Sequence, residues 1–238
     1  MLQRGNSKLG PFIWTFSLPA KTTCPGCTKT CLSVCYVGRG FYNMPNNVLF
    51  LKNNYMLSKG ANFAANMIAE IRQARIPLIR VHTSGDFYSP AYIRKWQRIA
   101  RRCGSTRFYA FTRSWRKAAL LKELQTFSQS HNVVLWWSAD RTTHERHGVP
   151  PKTPGVRVAY LQTDDTDPVP AYADLVFRVR RKSLHKYVQG RLVCPVENGY
   201  DKWVRKMTCT DCKICFSKRK LPKRDRQYTG PQAAAAES

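Results

Sequence analysis

Acidic residues are scarce. Forty lysines and arginines stand against fourteen aspartates and glutamates, a formal charge of +26 with histidine neutral. Such an excess repels itself in a compact state, so a polyanion is the expected counterweight. Nucleic acid is the expected partner, through phosphate contacts and counterion release. Long apolar runs are lacking as well: none approaches the ~20 residues that span a bilayer. The first residues, Met1-Leu2-Gln3-Arg4-Gly5-Asn6-Ser7-Lys8, carry positive charge with no apolar signal core behind it. The chain is therefore expected in the cytoplasm, without a membrane partner. A tight acidic motif is also missing. That leaves a metal-dependent nuclease, with carboxylates from Asp86, Asp140, Asp164 and Asp165, as the weakest functional reading.

What is present points to a globular α/β protein. Hydrophobic residues make up 43% of the 238, and aromatics 12%, which excludes a disordered chain. A chain of this length buries a core without disulfide staples. Apolar strand patterns appear at Phe12–Leu18, Leu78–His82, Arg107–Phe111 and Val133–Trp137, then less clearly at Val156–Leu161 and Leu175–Val179. Between them, apolar residues take helical spacing: Phe63, Ala64, Met67, Ile68 and Ile71; then Tyr92, Trp96, Ile99, Ala100 and Cys103; then Leu120, Leu121, Leu124 and Phe127. The strands recur at about 25–30 residues, the size of a βαβ unit. Trp136 and Trp137 are expected to place one indole on each face of their strand.

Three successive strands end in polar clusters: Thr83-Ser84-Gly85-Asp86, Thr112-Arg113-Ser114 and Ser138-Ala139-Asp140-Arg141. Ligands of parallel α/β folds bind at the carboxyl ends of strands, so Asp86, Arg113, Asp140 and Arg141 are expected around one rim. Singly each is an ordinary loop cap; the repetition favours a shared site. Arg113 and Arg141 suit a carboxylate or phosphate, which guanidinium binds bidentately. Among the histidines, His144 and His147 have metal-ligand spacing, but a surface loop is the expected setting; His82, His131 and His185 carry no assignment.

Eight of the nine cysteines fall in two groups, Cys24, Cys27, Cys31 and Cys35, then Cys194, Cys209, Cys212 and Cys215. In a cytosolic α/β protein such clustering reads as metal ligation before disulfides. The second group, C-x2-C-x2-C plus a remote Cys-Pro, resembles iron–sulfur ligation, with zinc the alternative. The four-residue spacing of Cys27, Cys31 and Cys35 would align them on one face of a helix. Three ligands on a four-iron cluster would leave one iron open. Cys27 alone is as well explained as a small core residue.

These residues resemble the phage and plasmid gene product 88 proteins. The resemblance rests on Ser17-Leu18-Pro19-Ala20, Thr23-Cys24-Pro25-Gly26, Cys31, Cys35-Tyr36, Ser84-Gly85-Asp86-Phe87, Phe111-Thr112-Arg113-Ser114, Cys194-Pro195 and the Cys209 to Cys215 cluster. It covers nearly all the chain except the tail, and implies a phage protein in the cytoplasm of the host cell. The family pattern uses Cys24, Cys31 and Cys35, with the Cys27 position variable.

A more distant similarity is to radical S-adenosylmethionine proteins. It implies a partial (β/α) barrel, here residues 1–190, with the C-terminal cysteines as an auxiliary cluster; the change in composition after Arg191 sets off a cysteine-rich metal-binding segment over 191–222, and the low-complexity tail over 223–238 is expected to be disordered. The similarity also implies a 4Fe-4S cluster on the first cysteine loop, with Ser84, Gly85 and Asp86 at the cofactor and Asp86 on its amine. The sequence departs from that pattern. The usual C-x3-C-x2-C is C-x3-C-x3-C here, Tyr36 follows the last cysteine, and one glycine precedes Asp86. The leading expectation is thus an iron–sulfur enzyme acting on nucleic acid. Its rival is a metal-stabilised binder of nucleic acid without chemistry. Polar strand ends sharing one pocket favour the enzyme, and a continuous basic face favours the binder.

Overall fold

The computed structural model describes residues 1–38, 40–179, 186–198, 207–219 and 221. Nine strands form a single mixed sheet: β1 (Gln3–Arg4), β2 (Trp14–Phe16), β3 (Leu78–Val81), β4 (Arg107–Thr112), β5 (Val133–Asp140), β6 (Arg157–Gln162), β7 (Leu175–Arg178), β8 (Tyr187–Val188) and β9 (Arg191–Val193). Their spatial order is β1-β2-β3-β4-β5-β6-β7-β9-β8. From β2 to β7, and on to β9, neighbours run parallel, while β1 and β8 form antiparallel edges. The sheet is not closed.

Eight α-helices lie along the described chain: α1 (Lys29–Ser33), α2 (Pro45–Lys59), α3 (Phe63–Gln73), α4 (Pro90–Arg102), α5 (Ala118–Ser128), α6 (Arg141–His147), α7 (Pro195–Asn198) and α8 (Cys209–Cys212). Helix α4 starts as its sequence requires: Ser89 accepts from the Tyr92 amide and Pro90 takes the first turn. Among the described residues no helix is long and apolar enough to cross a membrane.

The pairing register assigns each strand residue to a face. Phe16, Ile79, Val81, Phe108, Ala110, Val133, Leu135 and Trp137 share one face and pack with Phe63, Met67, Tyr92, Trp96, Leu124 and Phe127 of the helices. Burying each large side chain there contributes roughly 1.5–3 kcal/mol. The opposite face carries Leu78, Tyr109, Val134, Trp136, Ala159, Leu175 and Leu192. Among the described residues, Leu9 and Ile13 from the start of the chain and Phe216 from its cysteine-rich end pack on it, with Val196 of α7 and Cys209 of α8 beside them. The two indoles do divide between the faces, Trp136 bonding the Cys215 carbonyl (2.8 Å) and Trp137 that of Pro151 (3.1 Å).

The sheet runs across the expected division at 190. Tyr187 and Val188 pair with Leu192 and Arg191, and the Cys194 amide bonds the Val176 carbonyl. The expected tail over 223–238 and His185 lie outside the described residues.

Candidate functional site

The first cysteine loop sits over the carboxyl ends of the strands. Gly26 is the pivot. A Cβ there would lie 2.0 Å from the Arg113 carbonyl oxygen and 2.8 Å from the Ser114 nitrogen, so only glycine lets the Cys24–Cys27 turn rest on the end of β4. Arg116 fastens the same turn, donating to the carbonyls of Gly26 (2.8 Å) and Cys27 (3.2 Å).

The next turn is tied down by Asp140. Its Oδ1 caps α6 by accepting from the Thr143 amide and hydroxyl, at 2.8 and 2.9 Å. Its Oδ2 accepts from the Thr28 hydroxyl at 2.5 Å and pairs with Arg113 Nη1 at 2.8 Å. Thr28 in turn caps α1, accepting from the Cys31 amide at 2.9 Å. Helix α1 covers Lys29–Ser33 alone, so the expected single helix carrying Cys27, Cys31 and Cys35 is a correction. Thr28 is the N-cap and Val34 the C-cap, so Cys27 lies before the helix and Cys35 after it.

Asp86 belongs to the same framework. One oxygen accepts from the Phe87 amide (2.7 Å) and the Thr112 hydroxyl (2.6 Å), the other from the Arg113 amide (2.8 Å). Burial pushes its pKa up, against the pull of those hydrogen bonds. Gly85, at φ +77, brings the chain against Leu18 and Thr23, each 2.6 Å from where a Cβ would be. Ser84 donates to the Leu18 carbonyl at 2.5 Å. The residues expected at a cofactor amine thus join β2, β3 and β4 to the cysteine loop.

Asp86, Arg113 and Asp140 are brought together, and Arg141 is not. It is 59% exposed at the side chain and pairs with Glu145 at 2.7 Å and Asp167 at 3.4 Å. The other candidates separate too. Asp165 pairs with Arg178, His144 meets the Tyr172 hydroxyl, His147 meets Arg116, and His82 is buried against Tyr92. His131 is exposed.

Of the second cysteine group, Cys209, Cys212 and Cys215 sit toward the amino ends of β4 and β6, while Cys194 follows the carboxyl end of β9. Arg107 and Arg157, the first residues of β4 and β6, donate to carbonyls of Phe216, Ile214 and Ser217. The amides of Cys209 and Thr210 bond the carbonyls of Lys8 and Leu9, and Thr208 with Asp211 forms a capping box on α8.

Between the two groups lies a cavity of about 400 Å³, within the range of small-molecule sites. Cys31 and Cys35 line it from one group, and Cys194, Cys209 and Cys215 from the other. Aromatic walls come from Tyr36, Tyr109, Phe111 and Phe177. Arg80, mid-strand in β3, also lines it, and sequence reasoning missed it because attention went to strand ends. A lone arginine between the buried Ile79 and Val81 was the available signal.

All nine cysteines are free thiols. Burial pushes Cys24 and Cys194 up to about 12 and raises Cys31, Cys209, Cys212 and Cys215, so burial favours the neutral form of these six thiols. Four soft donors per group suit iron–sulfur or zinc, whose charge would draw the protons off. Among the described residues no three histidine, cysteine or carboxylate side chains are already gathered around one metal position.

The family model described as Gene product 88 matches residues 1–218. Two curated relatives, each called Gene 88 protein, come from Mycobacterium phage L5 and Mycobacterium phage D29. Each is 30% identical over 129 residues, 50% of this chain and 52% of the relative. The chain spans about half the length of the curated relatives it matches. No solved structure matches it.

Proposed function

The chain belongs to the gene product 88 family, a phage family whose name carries no chemistry, and from its site we propose an iron–sulfur enzyme of radical S-adenosylmethionine type that acts on nucleic acid. One observation carries the reading: thiols of both cysteine groups line the same cavity. Cys24, Cys31 and Cys35, with Cys27 beside them, would hold one cluster at the carboxyl ends of the strands. Cys194, Cys209, Cys212 and Cys215 would hold a second. The sequential order of β1 to β7, without the reversal of a doubly wound sheet, supports the partial-barrel reading.

When bound, such clusters supply one-electron chemistry. The chain's own part is positional. Asp140, Thr28 and Arg113 fix the turn that carries Cys31, and Arg116 with Gly26 fixes the turn before it. Tyr109, Phe111 and Phe177 form an apolar wall that excludes water from part of the cavity. Asp86 holds β3 and β4 in register beneath the loop.

The deciding experiment is metal and sulfide analysis of protein purified without oxygen. The expected result is about eight iron and eight sulfide per chain, with broad absorption near ~400 nm. Reduction with S-adenosylmethionine should then cleave it. Zinc without sulfide would end the radical reading.

A second reading, a metal-stabilised binder of nucleic acid, draws on the helical layer. Between α3 and α4 runs a groove floored by Ala65, Ile68 and Ala69 and rimmed by Arg72, Arg98 and Arg102. Arg94 and Arg101 extend the basic face. Small floor residues and arginines are what a phosphate backbone needs to approach and pair.

A further inference from the structure

Four cations line the cavity: Lys8, Arg80, Arg113 and Arg178. Three face a carboxylate, Lys8 with Glu197, Arg113 with Asp140 and Arg178 with Asp165. Arg80 has no ion pair among the described residues, and its buried Nε has no hydrogen-bond partner. The guanidinium carbon stands 5.6 Å from the centre of the Phe111 ring. A guanidinium placed on the cavity face of a central strand, where Leu or Val would complete the pattern, is costly unless an anion meets it.

We propose that Arg80 anchors a small organic anion in this cavity, with a carboxylate or phosphate on the guanidinium and the rest of the molecule against Phe111 and Phe177. Planar oxyanions fit the donor fork of arginine in pairs of hydrogen bonds. Phe177 meets Phe111 edge to face at 5.5 Å, and together they give the apolar part of the ligand a wall. The volume admits one ring and one anionic group and excludes a duplex. The inference rests on the reading of this cavity as a ligand site and is independent of which metal the thiols hold.

The test uses the full chain as purified, titrated calorimetrically with phenyl phosphate and, separately, benzoate, for wild type, Arg80→Met and Arg80→Lys. Binding of one probe to wild type, weakened at least tenfold in Arg80→Met with metal content unchanged, supports the proposal. The probe that binds separates phosphate from carboxylate. Should Arg80→Met fail to fold, Arg80→Lys decides, because it keeps the charge and loses the fork; several-fold weaker binding is expected. Failure of both probes to bind wild type overturns the proposal, as does equal binding by the variants. Loss of metal in Arg80→Met without probe binding to wild type also overturns it, and assigns the charge to the thiolates. None of these outcomes depends on iron, so failure here leaves the iron–sulfur reading to its own test.

Discussion

Gly26 shows how one missing side chain decides where a cysteine loop goes. Its neighbour is backbone, which does not swing aside, so Gly26→Ala should cost about 3 kcal/mol or more in urea unfolding. Gly38→Ala is the control: a Cβ there meets nothing within 4 Å, and the expected change is under about 0.5 kcal/mol. His82 makes a prediction in pH. Burial, with the Arg80 guanidinium second, pushes its pKa down to about 3, while the unfolded chain takes the proton near 6.5. Unfolding therefore binds a proton between those values. The contribution is fully present above 6.5 and is lost as pH falls toward 3. Between pH 7 and pH 4 stability should drop by about 3 kcal/mol on this account. His82→Gln should show a flatter urea-midpoint profile over that range, and an unchanged slope would remove His82 as the cause.

At the scale of elements, the cap of α6 is also the anchor of α1. Asp140→Ala removes the acceptor of Thr143 and Thr28 and leaves Arg113 without its carboxylate. The expected cost is about 3–5 kcal/mol, with faster alkylation of Cys31 as its turn comes loose. Arg141→Ala, one residue on, breaks an exposed pair with Glu145 and a longer one with Asp167, whose carboxylate keeps its bonds from Thr163 and Asp164, and should stay within about 1 kcal/mol. Equal alkylation rates in both variants would deny the link between the caps. The contrast also marks what was legible in the sequence. Strands β2 to β7 and helices α3, α4 and α5 follow from apolar runs and stripes, because burial of those residues drives their formation. Helix α2 was not legible. Its buried residues are Leu51, Asn54 and Ser58, and a half-polar inner face leaves no stripe; Asn54 is inside because it bonds the Met1 and Ser17 carbonyls. Sequence alternation placed Asp140 and Arg141 on one rim, but α6 begins between them and turns Arg141 toward Glu145. Arg113 and Asp140 were expected on one rim, and their pairing with each other, which engages the Arg113 guanidinium, depends on distances no spacing reveals.

At the scale of the whole molecule, one basic face lies across the sheet from the cavity. The face around α3 and α4 holds Arg72, Arg94, Arg98, Arg101 and Arg102, all exposed, while the acids there are engaged: Glu70 with the amino terminus and Glu123 with Arg94. Among the described residues the exposed aromatic side chains, Phe12 and Tyr36, lie outside α3 and α4, so these two helices present arginines and no exposed ring for stacking. It offers phosphate contact, and phosphate contact has a salt signature. Each neutralised phosphate steepens the fall of log affinity with log salt by about 0.9 for duplex DNA. Replacing Arg98 and Arg102 together by glutamine should therefore weaken duplex binding at low salt and flatten the slope by about 1–2. Both residues are exposed, so urea unfolding should barely change. The same pair of substitutions leaves the cavity intact, so binding of small anions at Arg80 should be unaffected. If wild type binds duplex and the double variant keeps the same slope, the backbone docks elsewhere on the molecule. If wild type shows no salt-dependent binding at all, the net charge of +26 answers to some other polyanion.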